Sequence, residues 1–370
     1  MIPEDRFCLV DLRGEGMGIY SKIAKRMMCA AIVVSLSLGH TAAWGNNKVE
    51  AKTTEKKQFT LSAAGDVTLS SDIKQPASVN FFQMYNKQTP DYFFKKVKKV
   101  FEKDDLTLVN FEGTLSNRGS RADKQWAFRG KPSYINILKK GSIEAVSFSN
   151  NHTRDYGEIS RKDTIKTFKK ANIAFSTEYK STIKKVNGIR VGLVSVSSVY
   201  SPSSAVRQLK EQMRRIKKKK PDVIIMSMHS GIEHTQTIAD IQVKLSHTAI
   251  DMGADLVIGH HPHVIQKISK YKGSYILYST GNFCFGGNTN PSDKDTFIFQ
   301  QTFVVKKGKL ISKKNAKVIP CRLSGKDNIN NYQPVVCKGA AKKRIISRLN
   351  NYSDNVRINS KGMLKKVKKK

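Results

Sequence analysis

Cysteine is scarce: there are five in 370 residues, and no Cys-x-x-Cys pair occurs. That excludes a disulfide scaffold and a zinc ribbon. No apolar run reaches the roughly 18–20 residues that span a bilayer, which excludes a polytopic membrane protein. Acid is also in short supply. Asp and Glu number 29 against 66 Lys and Arg, for a formal charge of +37. No RNP-like aromatic pattern or zinc finger accompanies that charge, so no specific nucleic-acid reader is indicated. Internal repeats are absent. What is present is 39% hydrophobic and 8% aromatic residues. That suffices for a sizeable core and excludes a wholly disordered chain.

The lysines are spread along the chain, with runs at 217–220 and 365–370. Such a surface suits an anionic polymer or membrane, or serves only as a solvated face. Residues 22–45 read as an export signal. Lys22, Lys25 and Arg26 form a basic start, 27–38 is apolar, and Thr41, Ala42, Ala43 and Gly45 are small. The segment is a cleaved signal peptide or a retained signal anchor, and Met17 is a candidate true start. Residues 1–45 are thus expected to be a leader and 46–57 a linker. Residues 58–320 form the main domain, and 321–370 a C-terminal extension with a basic tail. In an exported chain Cys321 could pair with Cys337, leaving Cys284 over.

Periodicity predicts strands at 59–64, 106–110, 143–148, 222–228, 255–258, 296–305 and 309–319. Helices are expected at 90–102, 156–171, 206–219 and 238–252. Hairpins are expected at 182–196, around Asn187-Gly188, and at 265–278, around Lys272-Gly273. Alternating strands and helices indicate an α/β layered domain, and the hairpins make its sheets mixed.

In layered α/β folds ligands gather at the carboxyl ends of strands. Six strand ends here deliver Asp66, Glu112, Asn150-Asn151-His152, His229, His260-His261-Pro262-His263 and Asn282. These are oxygen and nitrogen donors suited to divalent metals. Six of the eight histidines lie in or near these loops, His234 included. His261 and His263 on an extended segment would present both rings on one face. Asp155 either orients His152 or caps the helix that follows. His40 and His247 have no such context.

The motifs GDVTL, NFEGTL, SNNHTRDYG, MHSGIE, IGHHPHV and STGNF, in that order, resemble the capsule-biosynthesis protein CapA family. That family is linked to poly-γ-glutamate synthesis and export and is similar to the calcineurin-like metallophosphoesterases. The resemblance covers about 59–285. It implies a four-layer α/β/β/α sandwich with mixed sheets. It further implies that Asp66, Glu112, Asn151, His229, His261 and His263 bind one or two divalent metal ions (Mn, Fe, Zn or Mg). By the same likeness His152 protonates a leaving group, with Asp155 beside it. Asn150, His260 and Asn282 are expected to contact substrate. Two departures stand out: Thr68 occupies a position where the phosphoesterase pattern has His, and Glu112 replaces the bridging Asp. The first metal is therefore expected to be weak or absent. CapA proteins share both departures.

Three functions fit. The first is an exported component of poly-γ-glutamate capsule biosynthesis, on the outer face of the cytoplasmic membrane. Its expected partners are the polymer, a capsule ligase and integral membrane capsule components. The second is an exported metal-dependent phosphoesterase. The third is a module that binds anionic polymer or a membrane surface and carries a vestigial metal site.

Overall fold

The computed structural model describes residues 55–367. The expected leader, most of the linker and the last three lysines lie outside the described residues. No described helix is long and apolar enough to cross a membrane.

Two mixed sheets form the frame. The first runs, in spatial order, β16 (Val335–Val336), β15 (Lys309–Arg322), β14 (Asp295–Lys306), β1 (Lys57–Thr68), β2 (Leu106–Phe111), β5 (Ala145–Ser147) and β6 (Ala174–Ser176). A short strand, β13 (Asn282–Phe285), also pairs with β1. The second sheet runs β11 (Ile268–Tyr271), β12 (Ser274–Leu277), β10 (Leu256–His260), β9 (Val223–His229), β8 (Ile189–Ser197) and β7 (Thr182–Val186). Both have parallel centres. Antiparallel neighbours are added by β14 to β16 in the first and by β7 and β11 in the second. Two small pairs complete the strands: β3 (Thr114–Leu115) with β4 (Arg129–Gly130), and β17 (Val356–Ile358) with β18 (Leu364–Lys366).

Side-chain alternation makes four layers. Phe59, Leu61 and Ala63 of β1 point inward against Val191, Val223, Ile225 and Leu256 of the second sheet. Their neighbours Ala64 and Val67 point outward, under Phe81, Phe101, Ile137 and Phe168. Those residues come from α1 (Phe81–Lys87), α2 (Lys98–Phe101), α3 (Ile135–Lys140) and α4 (Gly157–Lys170). On the second sheet Ile224, Met226 and Val257 face outward, under Leu209, Met213 and Leu245. The helices there are α5 (Pro202–Lys218) and α6 (Asp240–Asp251). Strands buried on both faces need near-continuous apolar runs, and that is how VIIMSM of β9 reads. The result is the expected α/β/β/α sandwich.

Some details differ from expectation. Residues 90–97 are a series of tight turns rather than the start of a helix. Tyr92 N donates to Thr89 O at 3.0 Å and Val97 N to Phe94 O at 2.9 Å, three residues back instead of four. Phe93, Phe94 and Val97 are buried all the same. Beyond residue 320, α7 (Gly339–Tyr352) sends Ile345 and Leu349 into the core between the sheets. The Cys321–Cys337 bridge is not formed, and Cys284, Cys321 and Cys337 are free and buried. Cys321 pairs in register with Val336, so Cys337 points to the opposite face. Cys321 lies in the outer core and Cys337 in the inner one.

Two stability predictions follow from the packing. Phe168 meets Phe111 and Phe148 edge to face, at 5.1 and 5.4 Å between centroids. Phe168→Ala should cost about 3–5 kcal/mol in urea unfolding, through lost transfer energy and a cavity. Asp104 is held at about 7 against the ordinary 3.8, first by burial and further by the charges of Glu144 and Asp105. A carboxyl raised on folding favours the folded state fully below its unfolded value, and that contribution is lost as pH rises through about 7. Urea midpoints at pH 5 and pH 8 should therefore lie closer together in Asp104→Asn than in the parent. An unchanged gap would remove Asp104 from the account.

Candidate metal centre

The strand ends of both sheets converge on Asp66. It lies near the end of β1, just after an irregularity in the β1–β2 register, with Asn110 of β2 on one side and Asn282 of β13 on the other. The close approach of β1 to the 280–282 turn requires Gly65, because a Cβ there would stand 1.9 Å from Gly281 O. Across the gap, His229 and His260 end β9 and β10 side by side.

Asn110 is the hub of the centre. Its Nδ2 donates to Asp66 Oδ1 at 2.9 Å and to Glu112 Oε2 at 3.4 Å, and its Oδ1 accepts from Asn150 at 3.2 Å. Glu112 Oε1 lies 3.5 Å from His152 Nε2, 3.9 Å from His263 Nε2 and 4.0 Å from His229 Nε2. Asn151 Oδ1 is 2.8 Å from His229 Nε2. The carboxylate of Asp66 meets His260 Nδ1 at 3.2 Å and His263 Nδ1 at 3.4 Å. Asn282 Oδ1 holds the same His263 nitrogen at 2.9 Å. His261 approaches Glu233, 3.9 Å away.

Two sets of ligand atoms are thus clustered: Asp66, Glu112 and His229 in one, Glu233, His261 and His263 in the other. The segment carrying the last two histidines is not extended as expected. His261 and His263 both have positive φ, +98° and +58°, because the chain must turn sharply after β10. The turn, rather than strand alternation, brings their rings to 6.0 Å.

Do these residues suit a divalent cation? Glu112 Oε1 and His261 Nδ1 are buried acceptors without a hydrogen-bond partner, and leaving such groups unmatched is costly. Burial pushes Glu112 well above the ordinary range, with Asp66, Glu233 and Asp155 repelling it. Burial likewise drives His229 well down and His261 to about 4. A bound cation would reverse the push on Glu112, favouring its ionised form, and would take the two imidazoles in the neutral form that burial already favours. The donor set and the orphaned atoms fit a divalent metal.

His152 stands slightly apart. Its Nδ1 is 2.7 Å from Asp155 Oδ2, which also accepts from Phe128 N at 2.5 Å. The Asp155 carboxylate has no role in capping α4, whose N-cap, Tyr156, makes no side-chain capping bond. Burial lowers His152, against the pull of Asp155. The contact with the Asp155 carboxylate suits a proton on Nδ1, and Nε2 faces Glu112. A cavity of about 310 Å³ opens here, lined by Trp126, Phe128, His152, Glu233, His263 and Asn282.

The other expected substrate contacts lie deeper. Asn150 is spent on Asn110, Phe111 O and His152 N. His260 is buried behind Asp66. Thr68 is buried as well, its Oγ1 without a partner. His247 stacks on Tyr271, outside the centre. Sequence reasoning missed three participants. Asn110 and Glu233 stood inside quoted motifs without a role. Lys124, whose Nζ donates to Asp155 at 2.9 Å and to Asn151 O at 3.0 Å, comes from an aperiodic loop that gives no signal.

Residues 60–287 match the family model described as bacterial capsule synthesis protein PGA_cap. Capsule biosynthesis protein CapA of Bacillus anthracis is 27% identical over 258 residues, 62% of this chain and 61% of the relative. PGA biosynthesis protein CapA of Bacillus subtilis strain 168 is 29% identical over 216 residues, 53% of this chain and 57% of the relative. The match thus spans about three fifths of the length of each. Among solved structures, a hypothetical protein from Thermus thermophilus aligns with a TM-score of 0.43 and 13% identity, over 70% of this chain and 99% of that one. With more than half of its length matched by one family model, and the motifs of that match gathered around Asp66, this chain belongs to the bacterial capsule synthesis protein PGA_cap family.

Proposed function

We propose that this protein acts in the synthesis or export of poly-γ-glutamate, outside the cytoplasm, as a metal-dependent hydrolase. Family membership supports the pathway. The observation that carries the chemistry is the pair of orphaned acceptors, Glu112 Oε1 and His261 Nδ1, inside a ring of further ligand-type side chains. Asp66, Glu112, Asn151, His229, His261 and His263 would hold one or two divalent ions, with Glu233 within reach of His261. Mixed nitrogen and oxygen donors do not select among Mn, Fe, Zn and Mg. Such a cation supplies Lewis-acid polarisation of a carbonyl or phosphoryl oxygen.

The chain's own groups do the rest. Asp155 would fix the tautomer of His152 and leave Nε2, beside Glu112 at the wall of the cavity, free to exchange a proton with a reacting oxygen or nitrogen. Lys124 and Phe128 N hold Asp155 in place. Asn282 steadies His263. The apolar Phe128 and Phe285, against the rings of His152 and His263, limit water. A ligase and integral membrane capsule components are the proposed partners, and the leader at 22–45 is the proposed route out.

The test is elemental analysis of purified protein together with γ-glutamyl hydrolysis and phosphodiester assays. The parent should carry divalent metal, and His229→Ala with His261→Ala should remove it. Unchanged metal content in the double variant would overturn the site. Phosphodiester cleavage without γ-glutamyl cleavage would favour the phosphoesterase reading instead.

A further inference from the structure

On the outer face of the second sheet α5 and α6 pack side by side and leave a groove of about 590 Å³ that begins at their first turns, Pro202 and Ile241 among its lining. Arg207, Lys210 and Arg214 of α5 and Lys244 of α6 line it, all exposed. Half-buried Val206 and Ile241 lie between them. No acidic residue lines it. The acid of α5, Glu211, is taken by Arg215, and among the described residues none of the four cations makes an ion pair. Positions 207, 210 and 214 share one helix face. At 1.5 Å rise per residue they stand about 4.5 and 6 Å apart along the axis. The groove is therefore a row of free cations over an apolar floor.

We propose that this groove is a binding track for a flexible polycarboxylate whose charges are separated by aliphatic spacers. The proposal rests on the reading that the protein handles poly-γ-glutamate. Each residue of a γ-linked glutamate chain carries one free carboxylate and two main-chain methylenes. The carboxylates match the cations, and the methylenes match Val206 and Ile241. Nucleic acid fits less well, because no aromatic side chain lines the groove to receive a base. A membrane surface fits less well because it meets a face rather than entering a recess. No residue of the track belongs to the metal centre, so it would hold the polymer while the centre acts on another part of the chain.

The test compares two variants of the whole protein with the parent. In one, Arg207, Lys210, Arg214 and Lys244 all become Gln. In the other, four exposed lysines of the β14–β15 hairpin, Lys306, Lys307, Lys309 and Lys314, become Gln. Both lose the same charge. The probes are poly-γ-glutamate of defined length and vesicles containing phosphatidylglycerol, across a salt series. The groove variant should bind the polymer about tenfold more weakly at 0.15 M salt and with a shallower salt dependence. The hairpin variant should change less than about twofold. Equal losses in both would reduce binding to bulk charge and overturn the track. Loss of vesicle binding alone in the groove variant would overturn it in favour of a lipid face. Failure of the parent itself to bind the polymer would overturn the functional reading, and the track with it.

Discussion

Gly65→Ala is expected to cost the protein its fold. The added Cβ would stand 1.9 Å from Gly281 O and 2.9 Å from Gly281 C, both main-chain atoms. A flexible side chain could swing aside, but here β1 and the backbone of the 280–282 turn would have to part. Overpacking costs about 1–3 kcal/mol where neighbours can adjust. With backbone in the way the loss should exceed about 3 kcal/mol, and Asp66, whose N–H donates to Gly281 O at 3.0 Å, should be displaced with it. Gly157→Ala is the comparison. It has nothing within 4 Å and only its φ of +77° to oppose it, so about 1 kcal/mol is expected. Urea unfolding of both variants checks this, and equal losses would show that space at Gly65 is not limiting.

Glu112→Gln should produce a change of opposite sign in two conditions. Without divalent metal the variant should be more stable than the parent, because a buried carboxyl with an unmatched oxygen is replaced by a neutral group of the same shape. With metal at a hundredfold its dissociation constant, the parent should gain about 2.7 kcal/mol by binding to the folded state alone, and the variant should gain almost none. Melting curves with and without Mn or Zn, after stripping with chelator, give both numbers. A variant that responds to metal as the parent does would remove Glu112 from the centre.

Much of the architecture was legible because strands buried on both faces leave near-continuous apolar runs, as in VIIMSM of β9 and LVI of β10. The site was legible because its donors cluster at strand ends. What escaped was set by distant contacts. Residues 90–97 have helical spacing of Phe93, Phe94 and Val97, yet Pro90 and the sheet beneath them settle tight turns instead. The short β13 is held by pairing with β1, which no local pattern announces. Lys124 enters the centre on a loop whose course depends on Arg121 gripping Asp72 at 2.6 Å. The turn at His261 needs a left-handed backbone that a histidine seldom adopts, so an extended segment was the natural expectation.

The central position of β1 has a consequence for how the molecule comes into being. Its neighbours include β14, from the last third of the chain, and Asp66 lies in register with Asn282. β2 follows soon after β1, but a ribosome must release most of the polypeptide before β1 has its partners on the other edge, β13 and β14. Topologies of this kind fold slowly, because distant segments must meet before any contact rewards them. A polypeptide threaded across a membrane in the unfolded state would reach the far side with its ligand groups still dispersed. Its cation would then be drawn from that compartment rather than from the cytoplasm, so the metal it carries would report where it folded.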